Sequence, residues 1–448
     1  MKHANINVIG SGLVGSLLSI FLAKRGHTVS AFERRGDMRV EKMAAGRSIN
    51  LALSDRGWRA LEKVGITEDI QAISIPMKGR MIHAVNGDLS YQPYGKEDQA
   101  IYSVSRGVLN CKLMDLAEQQ GVKIHFNERC TAVNQSTKKV DFENVKTGHK
   151  SSHVSDLIFG SDGAYSAARL QLQLGTDRFN YSQYYIPHGY KELTIPAGPN
   201  GSFQIEKNAL HIWPRGEFML IALPNLDGSF TCTLFFPFEG ESSFATLKTD
   251  EQILDFFKRV FPDTIPLIPN LVEEFKHNPV ASLVTVKCYP WRIGDAMMLI
   301  GDAAHAIVPF FGQGMNCGFE DCLVLDGLLE TMGDDWNAIF NQFQTLRKPD
   351  GDAIADLALQ NFIEMRDLVA QPEFRLRKQI EARFSNLYPE KWTPQYSLVT
   401  FSPHVRYSEA LAEGRRQEKI MDQIMAMPDI AKKWDSKEVE EKLLELLA

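Results

Sequence analysis

Apolar and polar positions follow several distinct rhythms along this 448-residue chain. At its start, Asn5-Ile-Asn-Val-Ile-Gly10 has strand character, Leu13 to Arg25 has helical character, and Thr28-Val-Ser-Ala-Phe-Glu33 is a second strand. Together they predict a β-α-β unit. The stretch Val8 to Ala23 is the longest apolar one, but Gly and Ser interrupt it and it falls short of the roughly 20 residues that cross a bilayer. From about Met77 to Tyr102 the pattern turns polar, with Gly, Pro and Tyr, which places a crossing between two lobes there, and Val108 to Gln120 is again helical. Between Tyr181 and Leu283 short alternating runs such as Phe230-Thr-Cys-Thr-Leu-Phe-Phe236 predict an antiparallel sheet. Ala296-Met-Met-Leu-Ile-Gly301 returns to a buried-strand pattern, helical periodicity resumes at Cys317, and beyond about Lys348 it continues to the end.

Composition adds exclusions. A hydrophobic share of 44% and a charged share of 23% suit a large folded core. The net charge of -7 argues against a broad basic face for nucleic acid. Six cysteines, Cys111, Cys130, Cys232, Cys288, Cys317 and Cys322, are scattered without paired CxxC units, so a reducing, cytoplasmic setting is expected and no metal site is assigned. Cys317, Cys322 and His305 are expected to be structural.

Chemistry enters with glycines. Gly10-Ser-Gly12-Leu-Val-Gly15 closes a strand and opens a helix, and Glu33 ends the next strand. The first glycine permits the tight turn, the second lets backbone approach a diphosphate, and the third lets helix and strand pack closely. Free N–H groups at the helix start favour the diphosphate, and Glu33 can accept ribose hydroxyls. This pattern predicts an adenine dinucleotide without separating FAD from NAD. Two further segments do separate them: Leu157-Ile-Phe-Gly-Ser-Asp162-Gly163-Ala-Tyr-Ser166-Ala-Ala-Arg169 and Ala296-Met-Met-Leu-Ile-Gly301-Asp302-Ala-Ala-His305 look like the Asp-Gly and Gly-Asp signatures of flavin hydroxylases. In Pro309-Phe-Phe-Gly312-Gln-Gly314-Met315-Asn316-Cys-Gly318, the glycines would let backbone N–H groups face a flat ring.

Longer segments carry a more specific resemblance: Gly46-Arg-Ser-Ile-Asn-Leu-Ala-Leu-Ser54, Arg80-Met-Ile-His83, Pro93-Tyr94-Gly95, Tyr181 to Tyr190, Phe311 to Asp321, Asn361-Phe-Ile-Glu-Met-Arg366 and Tyr396-Ser-Leu-Val-Thr-Phe-Ser402. On these the chain resembles the kynurenine 3-monooxygenase family, within the para-hydroxybenzoate-hydroxylase-like flavoproteins, from the first strand to about Tyr407. The fold expected is α/β: a Rossmann-type FAD-binding domain (1–76, 103–180 and 284–347) interleaved with a mixed or antiparallel β-sheet substrate domain (77–102 and 181–283), then a helical C-terminal region (348–448). The activity implied is hydroxylation of L-kynurenine with O2 through a flavin 4a-hydroperoxide, FAD being bound and NADPH or NADH acting as a transient donor. No side chain is assigned as acid or base.

The resemblance further implies that Arg80, Tyr94, Asn361 and Tyr396 hold the amino acid end of the substrate, with Glu364 and Met365 lining the pocket. A guanidinium suits that task because it grips a carboxylate bidentately. Cofactor contacts are implied for Gly10, Gly12, Leu13, Val14, Gly15, Glu33, Arg34, Ala52, Arg106, Asp162, Asp302, Gly312, Gly314, Met315 and Asn316. Eukaryotic relatives end in a hydrophobic anchor, whereas Glu440 to Ala448 is charged and amphipathic, so a soluble protein, monomer or homodimer, is expected. Its tail has two destinations open to it: weak surface attachment, or cover over the active-site region. Rival classes are another aromatic hydroxylase, a flavin amine oxidase, which should lack the Asp-Gly signature, and a colourless binder of the GDP-dissociation-inhibitor type.

Overall fold

A computed structural model describes residues 2–41, 49–94, 99–365 and 371–447. The N-terminal unit forms as predicted, with strand Asn5–Ile9, helix Leu13–Lys24 and strand Thr28–Glu33. The two strands pair in parallel, Ile9 opposite Phe32. They lie in a six-stranded sheet whose order is Arg292–Ile293, Met297–Leu299, Leu157–Gly160, Asn5–Ile9, Thr28–Glu33 and Lys123–Phe126. All its pairings are parallel except the first, so the C-terminal ends of its main strands share one edge, where ligands of such sheets bind. The Val8 to Ala23 stretch is thus a buried strand followed by a helix packed against helices Arg106–Gln119 and Gly314–Met332. Among the described residues no helix is long and apolar enough to cross a membrane.

The second large sheet has seven strands in the order Ala281–Tyr289, Asn180–Ile195, Phe230–Pro237, Met219–Pro224, Ala209–Pro214, Gly79–His83 and Leu89–Pro93. Its neighbours are antiparallel except Ala209–Pro214 with Gly79–His83, where Ile212 lies opposite Ile82 in parallel. The alternating run Phe230 to Phe236 is buried on both faces. Phe230, Cys232, Leu234 and Phe236 pack with Ile253, Phe257 and Phe275 of helices Asp250–Val260 and Leu271–His277. Phe235 points to the opposite side and meets Phe310, 4.9 Å between ring centres. That second face packs with Phe311, Leu357 and Phe362.

Helix Gly314–Met332 starts one turn before the predicted Cys317, because Gly312 adopts a left-handed conformation, φ 66°, that lets the chain turn sharply beforehand. The C-terminal region is helical as predicted: Trp336–Ile363, Pro372–Leu387, Gln395–Thr400, Tyr407–Met425, Ile430–Lys433 and Lys437–Leu447. In the last of these Val439 and Leu443 are buried against a cluster containing Ile380, Phe384 and Trp392. Its apolar stripe is therefore occupied by the region's own small core.

A buried ion network fastens this region to the first lobe. His305 Nε2 lies 2.6 Å from Asp321 Oδ2, and Arg347 reaches Asp321 at 2.7 Å, Glu320 at 2.6 Å and Asp350 at 3.2 Å. Burial alone would lower the His305 pKa, but Asp321, and to a lesser degree Cys317, raise it well above the ordinary value. A raised folded-state pKa contributes stability that is complete below the unfolded value, about 6.5, and is lost as pH rises through the folded one. Breaking such a pair should cost about 3 kcal/mol or more in acid. His305→Gln should therefore lower the thermal midpoint most near pH 6, with the gap to wild type narrowing as the solution is made alkaline; a gap independent of pH would refute the charged assignment.

Candidate active site

The glycine turn carries the features a dinucleotide needs. Gly10 has φ 97°, and a Cβ there would lie 2.7 Å from the Asp162 backbone. A Cβ on Gly15 would fall 2.0 Å from the Gly10 carbonyl oxygen, whereas one on Gly12 would meet nothing within 4 Å. Gly10 and Gly15 are thus required by close packing, and Gly12 borders open space. Leu13 and Val14 begin the helix with no side chain capping its free N–H groups and no acid in its first turn. Such an end suits a diphosphate, so the residues present fit an FAD.

Glu33 is buried beside this turn. Its carboxylate accepts from Ser11 N at 3.1 Å, from Arg35 N at 3.0 Å and from Arg35 Nε at 2.8 Å. Burial would push its pKa up, but the Arg35 guanidinium and the backbone donors outweigh this and hold it below the ordinary carboxylate range. Arg35, not highlighted by the sequence, is the ion partner; Arg34 is exposed.

The Gly-Asp signature and the glycine loop after it converge on Val14. A Cβ on Gly301 would lie 3.0 Å, and one on Gly318 2.5 Å, from Val14 Cγ2. Asp302 opens the short helix Asp302–His305. Asp162 accepts from Ala167 N at 2.7 Å and Ala168 N at 3.1 Å, and from the Ser166 hydroxyl, so its carboxylate caps helix Ala167–Leu174. Asn316 is fully buried: its Oδ1 accepts from Ser54 N at 2.9 Å, and its Nδ2 donates to Ala52 O at 2.9 Å and Gly312 O at 2.8 Å. Its side chain clamps strand Asn50–Leu53 to the Gly312 turn, immediately before helix Gly314–Met332. Arg106 stands exposed at the first turn of its helix.

On the substrate side, Arg80 and Tyr94 sit on the two limbs of one hairpin, Gly79–His83 with Leu89–Pro93, where Tyr94 N donates to Lys78 O at 3.1 Å. The partly buried Arg80 guanidinium lies 4.6 Å from the Tyr396 ring centre and 5.4 Å from that of Tyr94. Those rings stack on each other at 5.6 Å, and Tyr396 stacks on Phe311 at 5.5 Å. Among the described residues no carboxylate lies within ion-pair distance of Arg80, and its Nε and the Tyr94 hydroxyl are buried without a hydrogen-bond partner. Burial opposes the Arg80 charge, yet the Tyr396 and Tyr94 phenols shift its pKa upward, so it stays cationic. Burial pushes the Tyr94 hydroxyl well above its ordinary range, so it keeps its proton at neutral pH.

Asn361 joins the same neighbourhood by donating to Phe310 O at 2.6 Å and to Met365 Sδ at 3.3 Å, and Met365 packs in the cluster with Phe310, Phe311 and Tyr396. Glu364 is half-exposed and faces Lys378 at 4.0 Å. Gly46, Arg47, Ser48, Gly95 and Arg366 of the quoted segments lie outside the described residues. Sequence reading did not assign Arg56, Gln313, Phe310 and Tyr407 to this centre, and for Arg56, whose burial depends on distant segments, the sequence carried no signal. His305, Cys317 and Asp321 bring three ligand-type atoms within 4.8 Å of one another. Arg347 donates to both Asp321 and Cys317 there, so a guanidinium already supplies the positive charge.

Glu33→Ala should weaken FAD retention by about 1–3 kcal/mol, the cost of losing a charged acceptor. Fluorescence titration of the apoprotein with FAD measures it, and an unchanged dissociation constant would count against the ribose role.

A family model described as "FAD binding domain" matches residues 3–349. The chain is 49% identical over 446 residues to a kynurenine 3-monooxygenase of Christiangramia forsetii, covering 100% of this chain and 99% of that protein. It is 52% identical over 425 residues to one of Myxococcus xanthus, covering 94% and 91%. Among solved structures, the tetrameric form of 2-methyl-3-hydroxypyridine-5-carboxylic acid oxygenase is similar in fold, with TM-score 0.66 and 22% identity over 86% of this chain and 98% of that one. Glycine turn, flavin signatures and full-length identity agree, and the chain belongs to the kynurenine 3-monooxygenase family of FAD-dependent monooxygenases.

Proposed function

We propose that this chain hydroxylates L-kynurenine to 3-hydroxy-L-kynurenine with O2 and NADPH, using FAD. The observation that carries the substrate reading is Arg80, a charged guanidinium against two tyrosine rings, with no carboxylate among the described residues within ion-pair distance. A cation so placed favours an incoming carboxylate, and the substrate's α-carboxylate supplies one.

FAD, when bound, supplies the redox chemistry by taking electrons from the nicotinamide and activating dioxygen. The turn from Gly10 to Gly15 and Glu33 would hold its adenosine diphosphate half, and the Gly301-Asp302 and Gly312–Asn316 segments its flavin half. This chain's own residues then bind and orient. Arg80, the protonated Tyr94 and Tyr396 hold the carboxylate end, while Phe311 walls the aromatic end. Asn361 sits at the Phe310 carbonyl with Met365 alongside, and the apolar faces of Phe235, Phe310 and Phe311 exclude water. The substrate's own amino group activates the ring position ortho to it, so a protein base is not required. The six thiols are unpaired and five of them buried, which supports a cytoplasmic setting.

Arg80→Ala should leave FAD content unchanged and raise the kynurenine KM steeply, by roughly 30-fold or more for the loss of a charge-assisted pair. Arg80→Lys should recover only part, because an ammonium cannot form two parallel bonds. Steady-state NADPH oxidation across a kynurenine series measures both. Equal KM values for wild type and Arg80→Ala would place the recognising cation elsewhere.

A further inference from the structure

Arg56 is a wholly buried arginine to which the binding of neither cofactor nor substrate gives a task. It lies in helix Asp55–Lys63, directly after the strand that Asn316 clamps. Its Nε donates to Val399 O at 2.6 Å, and its Nη2 to Leu398 O at 3.1 Å, to Ser402 O at 3.4 Å and to Val405 O. Its Nη1 donates to Glu320 Oε1 at 2.8 Å. Leu398 and Val399 belong to the last turn of helix Gln395–Thr400, whose carbonyls lack partners within the helix. A guanidinium there satisfies them and complements the negative end of the helix. Tyr396, in the first turn of that helix, is the ring over Arg80.

The other end of the arrangement is equally specific. Glu320 lies on helix Gly314–Met332, which opens at the glycine loop, and its second oxygen pairs with Arg347 at 2.6 Å. The Arg56 guanidinium lies over the Tyr407 ring at 4.0 Å, and the Tyr407 hydroxyl donates to Gln313 Oε1 at 2.8 Å, one residue before that helix. Two independent links therefore join the glycine loop to the segment bearing Tyr396.

We propose that Arg56 is a positioning residue for the substrate end of the site, holding Tyr396 against Arg80 by capping helix Gln395–Thr400 and tying that helix through Glu320 to the one that follows the glycine loop. The inference rests on the reading of Arg80 and Tyr396 as substrate contacts. It adds a residue that touches neither ligand but sets the geometry in which one is gripped.

A double-mutant cycle on the FAD-loaded protein tests it, with kynurenine Kd by calorimetric titration and FAD content by absorbance as readouts. Arg56→Lys keeps a positive charge near Glu320 but cannot reach the carbonyls as a fork. It should retain FAD and raise the kynurenine Kd roughly tenfold, the scale of one or two lost hydrogen bonds. In a Tyr396→Ala background the same change should alter Kd by less than about twofold, because the side chain it positions is gone. An equal loss in both backgrounds indicates general softening and overturns the proposal, as does wild-type affinity for Arg56→Lys. Should Arg56→Lys not yield folded protein, Glu320→Gln is measured in the same two backgrounds and decides by the same criterion. If Arg80→Ala and Tyr396→Ala themselves bind kynurenine like wild type, the substrate reading fails; if they lose affinity and the Arg56 and Glu320 variants do not, only the positioning role fails.

Discussion

A guanidinium held against aromatic rings, with no acid beside it among the described residues, is the constraint on which the substrate end of this molecule depends. Desolvating a cation is costly, and the faces of Tyr94 and Tyr396 recover part of that cost through their negative quadrupoles without providing a hydrogen bond to Nε. The arrangement is most favourable once an anion arrives, which ties recognition of a carboxylate to the stability of the pocket. Each side chain around Arg80 comes from a different part of the fold. The hairpin of the seven-stranded sheet gives Arg80 and Tyr94, the loop after the Gly-Asp signature gives Phe311, and the helical C-terminal region gives Tyr396.

The short segment Phe310 to Asn316 joins the two halves of the chemistry. On one side Phe311 stacks on Tyr396 and the Phe310 carbonyl receives Asn361. On the other, Asn316 secures strand Asn50–Leu53, and the helix that starts at Gly314 packs against the glycine-turn helix through Gly318 and Val14. A single loop thereby fixes where a flavin could lie relative to an aromatic substrate, which is the geometric requirement for transferring an oxygen atom between them. The ion network of His305, Asp321, Arg347 and Glu320 ties the helix that follows that loop to helix Trp336–Ile363.

Legibility from sequence followed the range of the constraint. The β-α-β unit, the three glycine-bearing signatures and the helical C-terminal region were readable because each rests on local requirements: a positive φ at Gly10, contact at Gly15, apolar residues at helical spacing. The hydroxylase reading came from long segments resembling a family, and the full-length identities agree with it. Arg56 was not readable, since an arginine early in a helix normally faces solvent and its carbonyl partners lie 343 residues away. The parallel pairing of Ala209–Pro214 with Gly79–His83 was hidden for the same reason, strand register between distant segments leaving no local trace. The capping of a helix by Asp162 and the clamping of a strand by Asn316 were likewise not readable from sequence.

The most direct test of the assigned chemistry follows NADPH consumption by the FAD-loaded protein with and without L-kynurenine, with the product identified by mass. Consumption should be slow alone and strongly stimulated by kynurenine, yielding one 3-hydroxykynurenine, heavier by one oxygen atom, per NADPH. Unstimulated consumption, or peroxide released stoichiometrically with kynurenine recovered unchanged, would contradict it.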